Sequence, residues 1–215
     1  VRKAGTNAPL LEVLAHYLGQ AGVEPVADVQ TAGGQPARCS EIAGYRKGEV
    51  RLLAVLPGVG CRDAGSVTLR FPASRYVYNL REHRLLGDLS TVKATLVEGA
   101  PLFLALSPEP IGKLSISAIG ASDGNLRVRA GGAAAFRIQL TMPQGQSDFP
   151  EAVHLEVRDP AGKILSYYGG NLPLQDGAAR FSIALALNDQ PGQWQVTAQE
   201  PYTHQTSSAI FFVAR

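Results

Sequence analysis

Between Ala134 and Met142 every second residue faces the same way in chemical character. Ala134, Phe136, Ile138, Leu140 and Met142 alternate with Arg137, Gln139 and Thr141. A period of two puts the apolar set on one face of an extended strand and the polar set on the other. Such a row cannot stay exposed, so it needs a second apolar layer to close against. The sequence supplies that layer. Val153, Leu155 and Val157 form one further inward row, Phe181, Ile183, Leu185 and Leu187 another, and Trp194, Val196 and Ala198 a third. Lys113–Ile119, Lys163–Tyr168 and Ser208–Val213 read as the remaining strands. Turn chemistry stands between them at Asp123-Gly124, Asp159-Pro160-Ala161-Gly162, Asp176-Gly177 and Asp189-Gln190-Pro191-Gly192.

The first half carries the same period less cleanly. Residues 38–46 and 49–56 read as a hairpin around Lys47-Gly48. Its second arm is apolar on both faces after Arg51, the pattern of a strand covered on both sides. Pro57-Gly58-Val59-Gly60 ends it. Ser66–Phe71 points Val67, Leu69 and Phe71 inward, Arg75–Leu80 follows, and a turn is expected near Glu82-His83. Val92–Val97 and Leu102–Leu106 complete the set around Glu98-Gly99. Short strands with turns this frequent make sandwiches. Ahead of them, residues 8–21 read as one helix, with Asn7 as its cap, Pro9 in its first turn, and Gly19 and Gly22 at its end. Leu10, Leu11, Leu14, Tyr17 and Leu18 share one face, which calls for a sheet or an upstream domain to cover it.

The expectation is therefore an all-β chain of two consecutive antiparallel β-sandwich domains with one short N-terminal helix. Their bounds are residues 1–107 and 111–215, joined by Ser107-Pro108-Glu109-Pro110. Two prolines stiffen that link and restrict the relative orientation of its neighbours. A length of 215 residues suits two units of ordinary size.

Charge and motifs exclude more than they include. Twenty basic against 18 acidic residues leave a net charge of +2 without a basic stripe, which argues against nucleic acid. No apolar run reaches the ~20 residues of a membrane span. The chain starts on Val1 and reads as part of a longer polypeptide. Cys39 and Cys61 are either one disulfide of an exported protein or two buried thiols. No Cys/His set has zinc spacing, so neither a metal nor a cofactor is expected. Asp63, Asp123, Asp159, Asp176 and Asp189 sit beside turn residues, where a carboxylate bonds its own backbone, rather than as a catalytic pair. His16, His83, His154 and His204 read as solvated. No G-x-S-x-G elbow occurs, and Gly33-Gly34, Gly131-Gly132 and Gly169-Gly170 precede no helix. No catalytic residue is expected.

Aromatic rings are the remaining ligand chemistry. Tyr167 and Tyr168 put one ring on each side of the chain, so one turns outward as a platform for an apolar sugar face. Tyr76 and Tyr78 share a face and are the second candidate pair, while Trp194 points into a core.

Two resemblances add to this reading. A strand and turn, Val157-Arg158-Asp159-Pro160-Ala161-Gly162-Lys163, are followed by Pro191-Gly192-Gln193-Trp194-Gln195-Val196 and a last apolar strand, Ala209 to Val213. Residues 111–215 thus resemble bacterial immunoglobulin-like domains of the macroglobulin or fibronectin type. The resemblance implies a turn between adjacent strands and a core tryptophan near the domain's end. In the first half a helix precedes the sheet, Tyr45-Arg46-Lys47-Gly48 forms the hairpin, and Tyr76-Val77-Tyr78-Asn79-Leu80-Arg81 precedes Leu86-Gly87. This half resembles the accessory β-sandwich that follows the catalytic part of bacterial β-galactosidase-like glycoside hydrolases. The resemblance implies a place in a larger protein, not activity. Together they suggest a non-catalytic accessory module of an extracytoplasmic protein, with an upstream domain of the same polypeptide as its partner. A carbohydrate-binding module that takes a polysaccharide on exposed tyrosines, and a segment of an Ig-like surface adhesin, are the alternatives.

Overall fold

The computed structural model describes residues 8–23, 25–37, 40–58, 65–121, 126–143 and 152–215, with side chains from Val13 onward. Helix α1 (Ala8–Gln20) comes first. Six strands follow: β1 (Asp28–Thr31), β2 (Ser40–Lys47), β3 (Val50–Pro57), β4 (Ser66–Asn79), β5 (Arg84–Thr95) and β6 (Leu102–Ser107). The second half contains β7 (Lys113–Ala118), β8 (Leu126–Arg129), β9 (Ala133–Thr141), β10 (Ala152–Arg158), β11 (Gly170–Pro173), β12 (Ala178–Ala184), β13 (Gly192–Gln199) and β14 (Thr206–Ala214). Cys39, Cys61, Asp63 and the Asp123-Gly124 turn lie outside the described residues.

The first six strands make one sheet in the order β1-β4-β6-β3-β2, with β5 also on β4. This sheet becomes a sandwich through a break inside β4. The β4–β5 register shifts between Arg70 and Arg75, around Phe71-Pro72-Ala73-Ser74. Proline has no N–H for the ladder, and an irregularity of this kind bends the strand that carries it. Before the break β4 pairs with β1, and after it with β6. Val67, Leu69 and Phe71 from one side and Val77 from the other meet Val29, Leu53, Val55, Val92, Leu104 and Leu106 in a single core. The sequence suggests two separate strands here, Ser66–Phe71 and Arg75–Leu80. In the structure the bulge absorbs the proline and the strand continues.

The second half closes a five-stranded sheet, β11-β10-β13-β14-β8, over a three-stranded one, β12-β9-β7. The predicted inward rows of β9, β10 and β13 are all buried, from Phe136 and Ile138 to Val157, Trp194 and Val196. The Trp194 indole N–H donates to the Gln190 carbonyl at 2.9 Å, which satisfies its one polar atom inside the core. Phe136 and Phe211 meet edge to face at 5.5 Å.

One parallel pair, β8–β14, joins an otherwise antiparallel set. Two expectations need correction. Of Lys163–Tyr168 only Ile164 bridges, to Arg158, and residues 166–168 are a turn closed by the Tyr168 N–H on the Leu165 carbonyl at 3.0 Å. Leu187 is 86% exposed: β12 stops at Ala184, Leu185 is the last residue of the row in the core, and the chain turns away after it. On α1, Leu14, Tyr17 and Leu18 are 47%, 64% and 48% exposed, so this face is not packed into either sheet. Among the described residues no helix is long and apolar enough to cross a membrane.

The link between the halves enters β7 through Gly112. A β-carbon there would stand 1.5 Å from the Thr141 carbonyl oxygen. Gly112→Ala therefore forces β7 away from β9, and chemical denaturation is expected to show a loss of about 1–3 kcal/mol.

Candidate functional site

Val77 enters the N-terminal core, so its neighbours Tyr76 and Tyr78 stand on the outer face of the same sheet. Leu52 and Ala105 share that face, because Leu53, Leu104 and Leu106 point the other way. The outer patch is covered. Tyr78 and Ala105 are buried in it with Val50, Leu52, Tyr76 and Leu80 around them, and Ile111 and Tyr202 close it from the C-terminal sandwich. The Tyr78 hydroxyl accepts the Ile111 N–H at 2.7 Å. Strand β3 is apolar on both faces for this reason: one face is core, the other faces the second sandwich.

This placement removes Tyr78 as a sugar platform, since only 1% of it is exposed. Tyr76 is half-buried beside it. Burial pushes the Tyr78 phenol above its ordinary value. The nearby Glu200 charge and Tyr76 add to that, while the Ile111 hydrogen bond works against it.

Two turns frame the contact. The β13–β14 turn is organised by Glu200, which is fully buried. Its carboxylate accepts the N–H groups of Tyr202, Thr203 and Gln205 and the Thr203 hydroxyl. The β4–β5 turn is organised by Asn79, whose side-chain oxygen accepts the N–H groups of Arg81 and Glu82 at 3.0 and 3.2 Å. Each turn carries a histidine at positive φ, His83 at 50° and His204 at 58°. Their rings stack with centroids 3.3 Å apart and planes within 20°. Both were expected in solvent; His204 is exposed, whereas His83 is half-buried beneath it. The period-two pattern gives no information about how turns from distant sequence meet, so this pairing was invisible in the sequence.

The other candidate pair lies at a corner of the C-terminal sandwich. Tyr167 is 71% exposed. Tyr168 turns inward, where its ring meets Trp194 edge to face at 6.0 Å. The Tyr168 hydroxyl donates to the Asp189 carboxylate at 2.5 Å and accepts the Ala186 N–H at 3.0 Å. Burial first, and the Asp189 hydrogen bond second, raise the Tyr168 phenol above its ordinary value. Tyr167 is therefore the outward ring of the pair, 4.6 Å from the ring that Asp189 holds.

Elsewhere the surface shows little chemistry. A hollow of about 490 Å³ beside β4 and β5 is lined by Ser66, Thr68, Thr95 and their neighbours, with Lys93 as the one ionisable side chain among the described residues that line it. Among the described residues no three His, Cys, Asp or Glu side chains gather at metal-binding distance. His154 bonds Asn171 at 2.9 Å on the outer face of β10, and His16 bonds Gln20 at 3.1 Å on α1.

No family model matches the chain. No curated protein matches it either. Solved structures show a remote likeness to it. A mutant alpha-2-macroglobulin from Salmonella is 16% identical over 77% of this chain, with a TM-score of 0.38. Trypsin-activated alpha-2-macroglobulin from Escherichia coli is 14% identical over 76%, also with a TM-score of 0.38. This chain spans 15% of the length of each. A chimeric titin Z1Z2 tandem is 14% identical over 88% of this chain and 83% of its own, with a TM-score of 0.28. At identities and scores this low they carry no residue, ligand or activity across.

The buried phenol gives a pH test. Tyr78→Phe leaves the Ile111 N–H without its acceptor, an expected loss of about 1–3 kcal/mol at neutral pH. A raised phenol stabilises the folded chain fully below the unfolded value, near 10, and that contribution fades as pH rises through the folded value. Denaturant midpoints of wild type and Tyr78→Phe should therefore converge above about pH 10.

Proposed function

We propose that this chain is a structural module, a pair of β-sandwiches that holds a fixed shape inside a larger polypeptide. The observation that carries this reading is the covered face around Tyr78. An apolar patch on one sandwich is sealed by Ile111 and Tyr202 of the other, and a hydrogen bond crosses the seal. Tandem domains joined by flexible linkers seldom bury such a patch, and a covered one favours a rigid spacer or brace. The two units are residues 1–107 and 111–215. The parent is an exported bacterial protein, and a glycoside-hydrolase-like enzyme is the kind of parent that the turns of the first half suggest. The exposed residues of α1 are the side from which an upstream domain of that parent would be met.

The purified chain is expected to unfold as one cooperative unit and to release no product from chromogenic galactosides. Turnover above that of a mock preparation contradicts the reading.

A second reading has its own observation. Tyr167 offers an exposed ring backed by Tyr168, and Asp189 fixes that backing ring in place. A flat ring held from behind suits the apolar face of a sugar. Calorimetric titration against a panel of polysaccharides tests it. Binding that Tyr167→Ala abolishes supports a carbohydrate site, and no heat with any polysaccharide removes it.

A further inference from the structure

The His83–His204 stack has no part in the reading above, and it has three unusual features at once. Both residues adopt left-handed backbone conformations, which non-glycine residues seldom do. Both turns are pinned by buried side chains, Asn79 and Glu200, so the rings are presented rather than left to drift. The Nδ1 atom of His83 is buried and has no hydrogen-bond partner. The two rings belong to different sandwiches and meet at the edge of the Tyr78 contact.

We propose that this pair is a pH-sensitive latch between the two sandwiches, closed while at most one ring is protonated and opened when both are. Neutral imidazoles stack, and one imidazolium over a neutral ring is also attractive. Two imidazoliums 3.3 Å apart are not, because like charges at that separation repel strongly wherever water is partly excluded. The orphan Nδ1 adds to the effect. Protonated His83 donates through both ring nitrogens, and in the docked state one of those donors faces no acceptor. In the undocked state water accepts it. The undocked state therefore binds more protons, and docking weakens on acidification.

Among the described residues the charged groups around the pair already have partners of their own. On the β4–β5 turn, Glu82 is paired with Arg84 at 2.5 Å and the Arg81 guanidinium lies over the Phe103 ring. On the β13–β14 turn, Glu200 already holds the donors of its own turn. Glu109 in the link is buried and has an interaction of its own. Tyr78 and Tyr202 complete the surroundings, and a phenol is neutral at these pH values.

The test uses the whole chain in small-angle X-ray scattering between pH 8 and pH 5. Circular dichroism is recorded on the same samples. The radius of gyration is expected to rise reversibly on acidification, while the β-sheet signal stays unchanged. His83→Asn and His204→Asn keep the left-handed turns, which asparagine tolerates, and should make the radius independent of pH over this range. A constant wild-type radius overturns the latch. So does an acid transition that survives in His204→Asn, or one that coincides with loss of the β-sheet signal. The structural role rests on the buried Tyr78 contact and not on the histidine stack, so failure of the latch leaves that role standing.

Discussion

An apolar patch on the outside of a β-sandwich has to be covered, and here the rest of the arrangement depends on how it is covered. Tyr78, Ala105 and Leu52 face away from the N-terminal core, where alternation would normally place polar side chains. The C-terminal sandwich seals them with Ile111 and Tyr202. Burial of this kind stabilises by roughly 25 cal/mol per Å² of apolar surface removed from water. It does so only if the polar groups trapped with it are satisfied. The Tyr78 hydroxyl meets that condition for the Ile111 N–H, and Glu200 meets it for its own turn.

The same contact explains the short link. Gly112 passes so close to the end of β9 that no side chain fits, which brings Ile111 directly over Tyr78. Stiffness from Pro108 and Pro110 then acts with the contact rather than in place of it. A proline-rich segment restricts a hinge, but a sealed patch chooses one orientation among those the hinge permits.

Strand identity was legible wherever one face was core and the other was solvent. The rows of β9, β10 and β13 follow the period-two rule at every position. Legibility failed where local chemistry overrode the period. Ser66–Phe71 and Arg75–Leu80 read as two strands, yet a bulge let β4 run on and fold one sheet into two layers. Leu187 continued a row on paper after the strand had already ended. Lys163–Tyr168 has strand-like composition, yet it ends in a turn closed by the Tyr168 N–H on the Leu165 carbonyl. Strand alternation therefore does not set the Tyr167–Tyr168 pair; Tyr167 is the exposed ring because Asp189 holds the Tyr168 hydroxyl on the inner side. The apolar second face of β3 was a visible trace of the inter-sandwich contact, although the sequence did not say what would cover it. His83 and His204 left no trace at all, because their meeting depends on two turns 121 positions apart coming together in three dimensions.

The central claim is that the sandwiches behave as one body. Residual dipolar couplings from backbone amides of both halves, measured at pH 7.5, test it most directly. A single alignment tensor that fits both halves in the orientation of this structure is the predicted result. Two tensors of different magnitude, one for each half, would contradict it.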